Sequence, residues 1–294
     1  MSLSPSSPAL RMSDADVPTL IAAWEGSIRD FHDFVATLDD SQWNTMSPCP
    51  GWTVGDLAAH VVGIEREVAG DNLVVPEPEW ASLTHVRDDG FSRYTEPPVD
   101  QRRGLPREVV IAELADVIDR RVAQLNGGDM AADSVATGPM GTERPLDLML
   151  RMRCFDIWVH EQDARLVLDL PGHLGTAGGH SAAHTLMSAL PFVLAKKVAA
   201  APGTSLQLVV SGPVAFDRTV QVGDDGKARF VTTLAGEPGA PDGPTVRLTT
   251  DWLTFMLVAC GRVDSRSPRV VDSVTIEGDV DLATRYLGNA SITP

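Results

Sequence analysis

The chain has 294 residues, and its 40 Asp and Glu against 24 Lys and Arg give a formal net charge of −16. Hydrophobic residues make up 43% and charged residues 22%, enough apolar material for a core and, at about 100–200 residues per domain, for two domains. The acidic balance excludes nucleic acid and anionic membrane surfaces as principal partners, because phosphate attraction needs clustered cations. The longest apolar stretches, such as 189–195, are interrupted by proline and fall short of the roughly 20 residues of a membrane span.

The first 13 residues carry Pro and Ser where a signal peptide needs an apolar segment, so 1–13 reads as a disordered tail. Three cysteines, Cys49, Cys154 and Cys260, are odd in number, far apart and without a CxxC pair. That usage fits a reducing cytoplasm, with each cysteine a small buried hydrophobe. A helix is expected over 14–38, where Leu20, Trp24, Ile28, Phe31 and Val35 recur every three or four residues. A rigid loop, 47–52, precedes a second helix that starts with Thr53 as N-cap and Asp56 three residues on, a capping-box signal. The connection over 70–104 holds several prolines and no clear period, which makes it a candidate pocket wall. A third helix is expected over 106–125 and, after a Gly/Ala/Ser-rich stretch at 126–142, a fourth over 145–168.

A bridging helix over 177–198 leads into a different grammar of short Val/Leu/Thr runs punctuated by Gly, Asp and Pro. Strands are expected at 206–211, 218–222, 228–233, 246–249 and 274–276. Helices are expected from a cap at Thr250 or Asp251 to Cys260, and over 279–287. The fold class is therefore α+β, a helical bundle over 14–173 followed by a smaller α+β C-terminal domain over 174–294 that includes the bridging helix.

The chemistry concentrates on two helices. His60 shares an inward stripe with Leu57, Val61 and Ile64. On the fourth helix, Asp156 and His160 are four apart and project from one face, which reads Met149, Arg153, Asp156, His160, Asp163 and Val167. A polar band inside an apolar stripe needs partners, because each unpaired buried polar group costs about 1–3 kcal/mol. Two imidazoles and a carboxylate make a three-ligand site with an open fourth position, the pattern of a catalytic zinc or another divalent metal. The plainer account of an i, i+4 Asp/His pair is a hydrogen-bonded structural histidine. His180 and His184 form a competing i, i+4 pair without a carboxylate nearby, read as a helix flank or an interdomain contact. His32, His85 and His173 read as surface or loop residues, and Trp52 and Trp158 as core. Asp163 is expected to pair with Arg153 or Arg165 rather than to orient His160. The GxSxG, HExxH and Walker-type patterns are absent from the sequence.

The segment Pro48-Cys49-Pro50-Gly51-Trp52-Thr53-Val54-Gly55-Asp56-Leu57-Ala58-Ala59-His60-Val61 resembles the N-terminal signature of the mycothiol-dependent maleylpyruvate isomerase family, within the wider DinB-like metal-binding four-helix bundles. Phe155-Asp156-Ile157-Trp158-Val159-His160-Glu161-Gln162-Asp163, followed by Pro171-Gly172, is similar to its second signature. The tail from Leu206, with Cys260-Gly261-Arg262 after a helix, is similar to the family's α+β C-terminal domain.

This resemblance implies zinc held by His60, Asp156 and His160, and mycothiol, an actinobacterial low-molecular-weight thiol, as cosubstrate. The activity implied is an isomerase or S-transferase acting on a small electrophile, in which metal coordination turns the thiol into a thiolate. Several relatives carry glutamate where this chain has Asp156, whose stem is one methylene shorter. Arg262 is read as an anion-binding catalytic group for a substrate or thiol carboxylate, and equally as a cation that favours a helix C-terminus. Two other readings of the same bundle stand beside this one: a non-catalytic metal- or ligand-binding regulatory module, and a zinc hydrolase.

Overall fold

The computed structural model describes residues 15–71, 75–128, 133–232 and 243–293; the tail expected over 1–13 lies outside them. Their contacts divide the chain into two compact units, 15–182 and 183–293, with the boundary inside a helix.

The first unit is a four-helix bundle. Helix α1 (Val17–Ala36) is capped by the Asp16 carboxylate, which accepts from Thr19 N. A short α2 (Asp40–Trp43) follows. Helix α3 (Val54–Val68) begins with the reciprocal capping box that the sequence announces: Thr53 Oγ1 accepts from Asp56 N at 3.2 Å, and Asp56 Oδ2 from Thr53 N at 2.9 Å. Helices α4 (Gly90–Asp100), α5 (Arg107–Asn126) and α6 (Leu146–Leu168) complete the unit. The four long helices close a ring, α1 against α5 and α6 and α3 against the same two, with α4 laid on α3. Trp24, Ile28, Phe31, Leu57, Val61, Leu114, Ile157 and Trp158 fill its core. At ~25 cal/mol per Å², their burial supplies most of the unit's stabilisation.

Two elements of this unit depart from expectation. The connection over 70–104 contains α4 and a 3₁₀ turn, Trp80–Ser82. Helix α4 is concealed in the sequence because Pro97 and Pro98 lie inside it and cannot donate to the carbonyls four residues back. It is secured instead by its N-cap, Asp89 Oδ1 accepting from Ser92 N at 2.7 Å, and by Pro98 packing where Gly63 of α3 lacks a side chain. Within the Gly/Ala/Ser-rich stretch, β1 (Val135–Thr137) and β2 (Glu143–Pro145) form a small antiparallel hairpin.

The boundary helix α7 spans Ala177–Ser188, and the expected single helix to 198 does not form. Pro191 removes a donor, and the chain continues as a turn (Leu190–Phe192) and a π-turn (Val193–Lys197). The second unit holds a five-stranded sheet of order β5-β4-β3-β6-β7. Its strands are β3 (Ser205–Ser211), β4 (Phe216–Val222), β5 (Ala228–Val231), β6 (Val246–Asp251) and β7 (Thr275–Gly278). Only β3 and β6 run parallel. Helices α8 (Trp252–Ala259), α9 (Pro268–Ser273) and α10 (Val280–Asn289) belong to this unit. Alternate residues Leu206, Leu208, Val210, Val246 and Leu248 are buried, the period of a sheet with one covered face. The class is α+β. Among the described residues no helix is long and apolar enough to cross a membrane.

Candidate metal centre

The site is built by α3, α6 and the loop before α3. That loop is rigid for local reasons. Ser47 N donates to Trp52 O at 2.8 Å, Trp52 N to Cys49 O at 3.1 Å and Val54 N to Thr45 O at 2.9 Å. Gly51 sits at φ +76°, where L side chains are strained, and a Cβ there would lie 2.1 Å from His85 Cγ. The loop thereby delivers Trp52 onto the imidazoles: its ring centroid is 5.2 Å from that of His60 and 6.3 Å from that of His160. Trp52 is buried, as expected, and also covers both candidate ligands. Its Nε1 donates to Glu96 Oε2 at 2.9 Å.

His60 from α3 and Asp156 and His160 from α6 converge, one ligand atom from each lying within 4.8 Å of the others. His60 Nε2 is 3.3 Å from Asp156 Oδ2, and His160 Nε2 is 3.5 Å from Asp156 Oδ1. Bonds of about 2.0–2.2 Å at tetrahedral angles place neighbouring ligand atoms about 3.3–3.5 Å apart, the spacing of each imidazole from its nearer aspartate oxygen, so the donor set fits a zinc-sized divalent cation. His60 Nδ1 is buried without a hydrogen-bond partner, which leaves its orientation to packing and to whatever Nε2 binds.

The electrostatics divide the three residues. Burial pushes the His60 imidazole below its ordinary pKa, outweighing Asp156 beside it. Burial also opposes charge on His160 and Asp156, but their mutual attraction prevails. His160 is held well above the usual histidine value and Asp156, next to Arg153 as well, well below the carboxylate range. Arg153 Nη1 lies 2.8 Å from Asp156 Oδ2, while its Nε lies 2.7 Å from Glu65 Oε1. Glu65 is fully buried and also faces Arg121, with Nε at 3.7 Å. An ion chain Arg121–Glu65–Arg153–Asp156 thus runs through the bundle to the site.

Several assignments made from sequence are corrected here. Asp163 meets His160 Nδ1 at 3.3 Å, because Arg153 is engaged by Glu65 and Asp156, and Arg165 by Glu161 at 2.7 Å. Cys49 is partly exposed, unlike Cys154 and Cys260, and its Sγ reaches Asp163 Oδ2 at 3.5 Å. With His160 and Asp163 it forms a second converging group. His85 and His173 lie in loops, as expected, and each also meets a buried carboxylate: His85 Nε2 is 3.2 Å from Glu96 and His173 Nδ1 is 2.6 Å from Glu161. His180 and His184 join no converging group of ligands among the described residues. Arg262, expected either as an anion-binding group or as a helix-terminal cation, lies in the second unit, where Nη1 donates to the Cys260 carbonyl at 3.0 Å and lies 3.5 Å from Thr293 Oγ1.

Residues 24–165, which carry every member of this site, match the family described as mycothiol maleylpyruvate isomerase N-terminal domain. The chain carries this domain. The fold is also that of two crystal structures of the mycothiol-dependent maleylpyruvate isomerase. One, a histidine-to-alanine mutant, is 16% identical with a TM-score of 0.56; the other is 17% identical with a TM-score of 0.54. In both cases 92% of this chain and 96% of the other are covered, so the likeness of fold extends through the α+β part. No curated protein matches. The mycothiol maleylpyruvate isomerase N-terminal domain of this chain is thus the bundle in which His60, Asp156 and His160 converge.

Proposed function

We propose that the protein is a metal-dependent enzyme that takes mycothiol as cosubstrate and adds or transfers it to a small electrophile, as an isomerase of the maleylpyruvate type or an S-transferase. The observation that carries this reading is the convergence of His60, Asp156 and His160 inside a domain of the mycothiol maleylpyruvate isomerase family. These three residues would hold zinc. When bound, zinc lowers the pKa of a coordinating thiol so that it reacts as a thiolate at neutral pH.

The chain's own residues supply the rest. Arg153 engages Asp156 Oδ2, which also faces His60 Nε2, while Oδ1 is turned toward His160 Nε2, so the carboxylate is held in one orientation between the two imidazoles. Glu65 keeps Arg153 in place from the bundle interior. Trp52 covers the two imidazoles and keeps water from their apolar side. Arg153 is neutralised between Glu65 and Asp156, so in a protein of net charge −16 an anionic ligand would be held by the metal against the overall field. Reversible thiol addition to a double bond permits rotation and isomerisation; addition without reversal is S-transfer.

Metal analysis of the purified protein tests the reading. The wild type should hold one zinc per chain, and His60→Ala and His160→Ala should each lose it. With zinc present, the protein should consume mycothiol in the presence of chlorodinitrobenzene or a bimane. Absence of stoichiometric metal under non-chelating conditions contradicts the reading, and metal-dependent ester cleavage without thiol consumption replaces it with a hydrolase.

A further inference from the structure

We propose that Asp163 is a positioning residue of the metal centre, orienting His160 through its Nδ1 while sharing the same carboxylate oxygen with the Cys49 thiol. This rests on the metal reading above and assigns a role to residues outside the ligand set. Asp163 is 1% exposed, and a buried carboxylate persists only where donors face it. Along α6, Arg153 faces Glu65 and Asp156, and Arg165 faces Glu161. Asp163 Oδ2 instead faces His160 Nδ1 at 3.3 Å and accepts from Cys49 Sγ at 3.5 Å.

His160 Nε2 is the nitrogen turned to Asp156 Oδ1 and to the ligand set. With Nε2 turned to the metal, Nδ1 is the His160 nitrogen left to donate, and Asp163 Oδ2 is the acceptor facing it. Carboxylate–histidine pairs of this kind fix both the tautomer and the ring plane of a metal ligand. His60 has no counterpart: its Nδ1 is buried and without a hydrogen-bond partner. The two imidazoles are therefore unequal, His160 oriented in advance and His60 held by packing against Trp52 and by its Nε2 contact with Asp156. The loop that carries Trp52 also carries Cys49, so one rigid turn both covers the ligands and braces the residue behind them.

The test measures zinc affinity by competition with a chromophoric chelator, together with long-range imidazole nitrogen–proton spectra of the zinc-loaded wild type. Asp163→Ala should weaken zinc binding about 10–100-fold. Asp163→Asn, which keeps an acceptor oxygen, should recover part of the loss. In the spectra, His160 should carry its proton on Nδ1 and the metal on Nε2. Unchanged affinity in Asp163→Ala, or a His160 whose Nδ1 is proton-free, overturns the proposal even where the wild type binds zinc fully. Should Asp163→Ala not fold, the spectra and Asp163→Asn decide. A wild type that binds no zinc removes the metal reading itself, and this role with it.

Discussion

Glu96 shows how a single buried carboxylate can tie the covering loop to the bundle. It accepts from Trp52 Nε1, lies 3.2 Å from His85 Nε2 and pairs with Arg103 Nη1 at 2.6 Å, while being 2% exposed. Burial alone would raise its pKa, but Trp52, Arg103 and His85 outweigh that and hold the carboxyl below its ordinary range. A depressed folded pKa contributes stability that is fully present above the unfolded value near ~4.3 and is lost as pH falls through the folded one. Glu96→Gln should therefore cost about 1–3 kcal/mol at neutral pH, and its deficit should shrink at an acid pH below the depressed folded value, where the wild type loses the same charge. Urea unfolding at the two pH values checks this; an equal deficit at both would locate the effect in packing rather than charge.

Helix α3 joins the bundle to the site through Glu65, which faces Arg153 and Arg121. Glu65→Gln leaves buried Arg121 without its counter-ion and Arg153 with Asp156 alone, and should cost about 3–5 kcal/mol in chemical denaturation. Gly51→Ala should be destabilising for a different reason, the left-handed backbone together with the overlap onto His85, by about 1–2 kcal/mol. An unaffected Gly51→Ala variant would contradict the rigidity assigned to the loop.

The elements that periodicity predicts best are those with a long apolar stripe, α1, α3, α5 and α6, of which α1 and α3 also carry a local side-chain cap. Helix α4 is illegible because Pro97 and Pro98 mimic a loop, and the 177–198 helix is overextended because Pro191 is read as internal rather than terminal. The candidate site divides in the same way. His60, Asp156 and His160 follow from stripes on two helices, whereas the meeting of Cys49 with Asp163 joins residues 114 apart and depends on how the loop folds over α6. The one local signal for Asp163 is its position three residues after His160 on the same helical face.

At the scale of the molecule, the division into units 15–182 and 183–293 places all three candidate ligands in the first. Zinc binding should therefore raise the unfolding temperature of the bundle transition and leave that of the α+β unit in place. A concentration of 100 times Kd corresponds to about 2.7 kcal/mol, a shift readable by calorimetry and absent in His160→Ala. Equal shifts of both transitions would show that the two units unfold as one.

The central claim is that His60, Asp156 and His160 hold a metal whose open position takes a thiol. X-ray absorption at the zinc edge tests it most directly, on the zinc-loaded protein with and without mycothiol. The account predicts a nitrogen and oxygen shell with two imidazoles in the free protein, joined by one sulfur at about 2.3 Å when mycothiol is added. A sulfur already present without mycothiol would make Cys49 a ligand, and no sulfur after its addition would remove the thiol from the metal; either result contradicts the account.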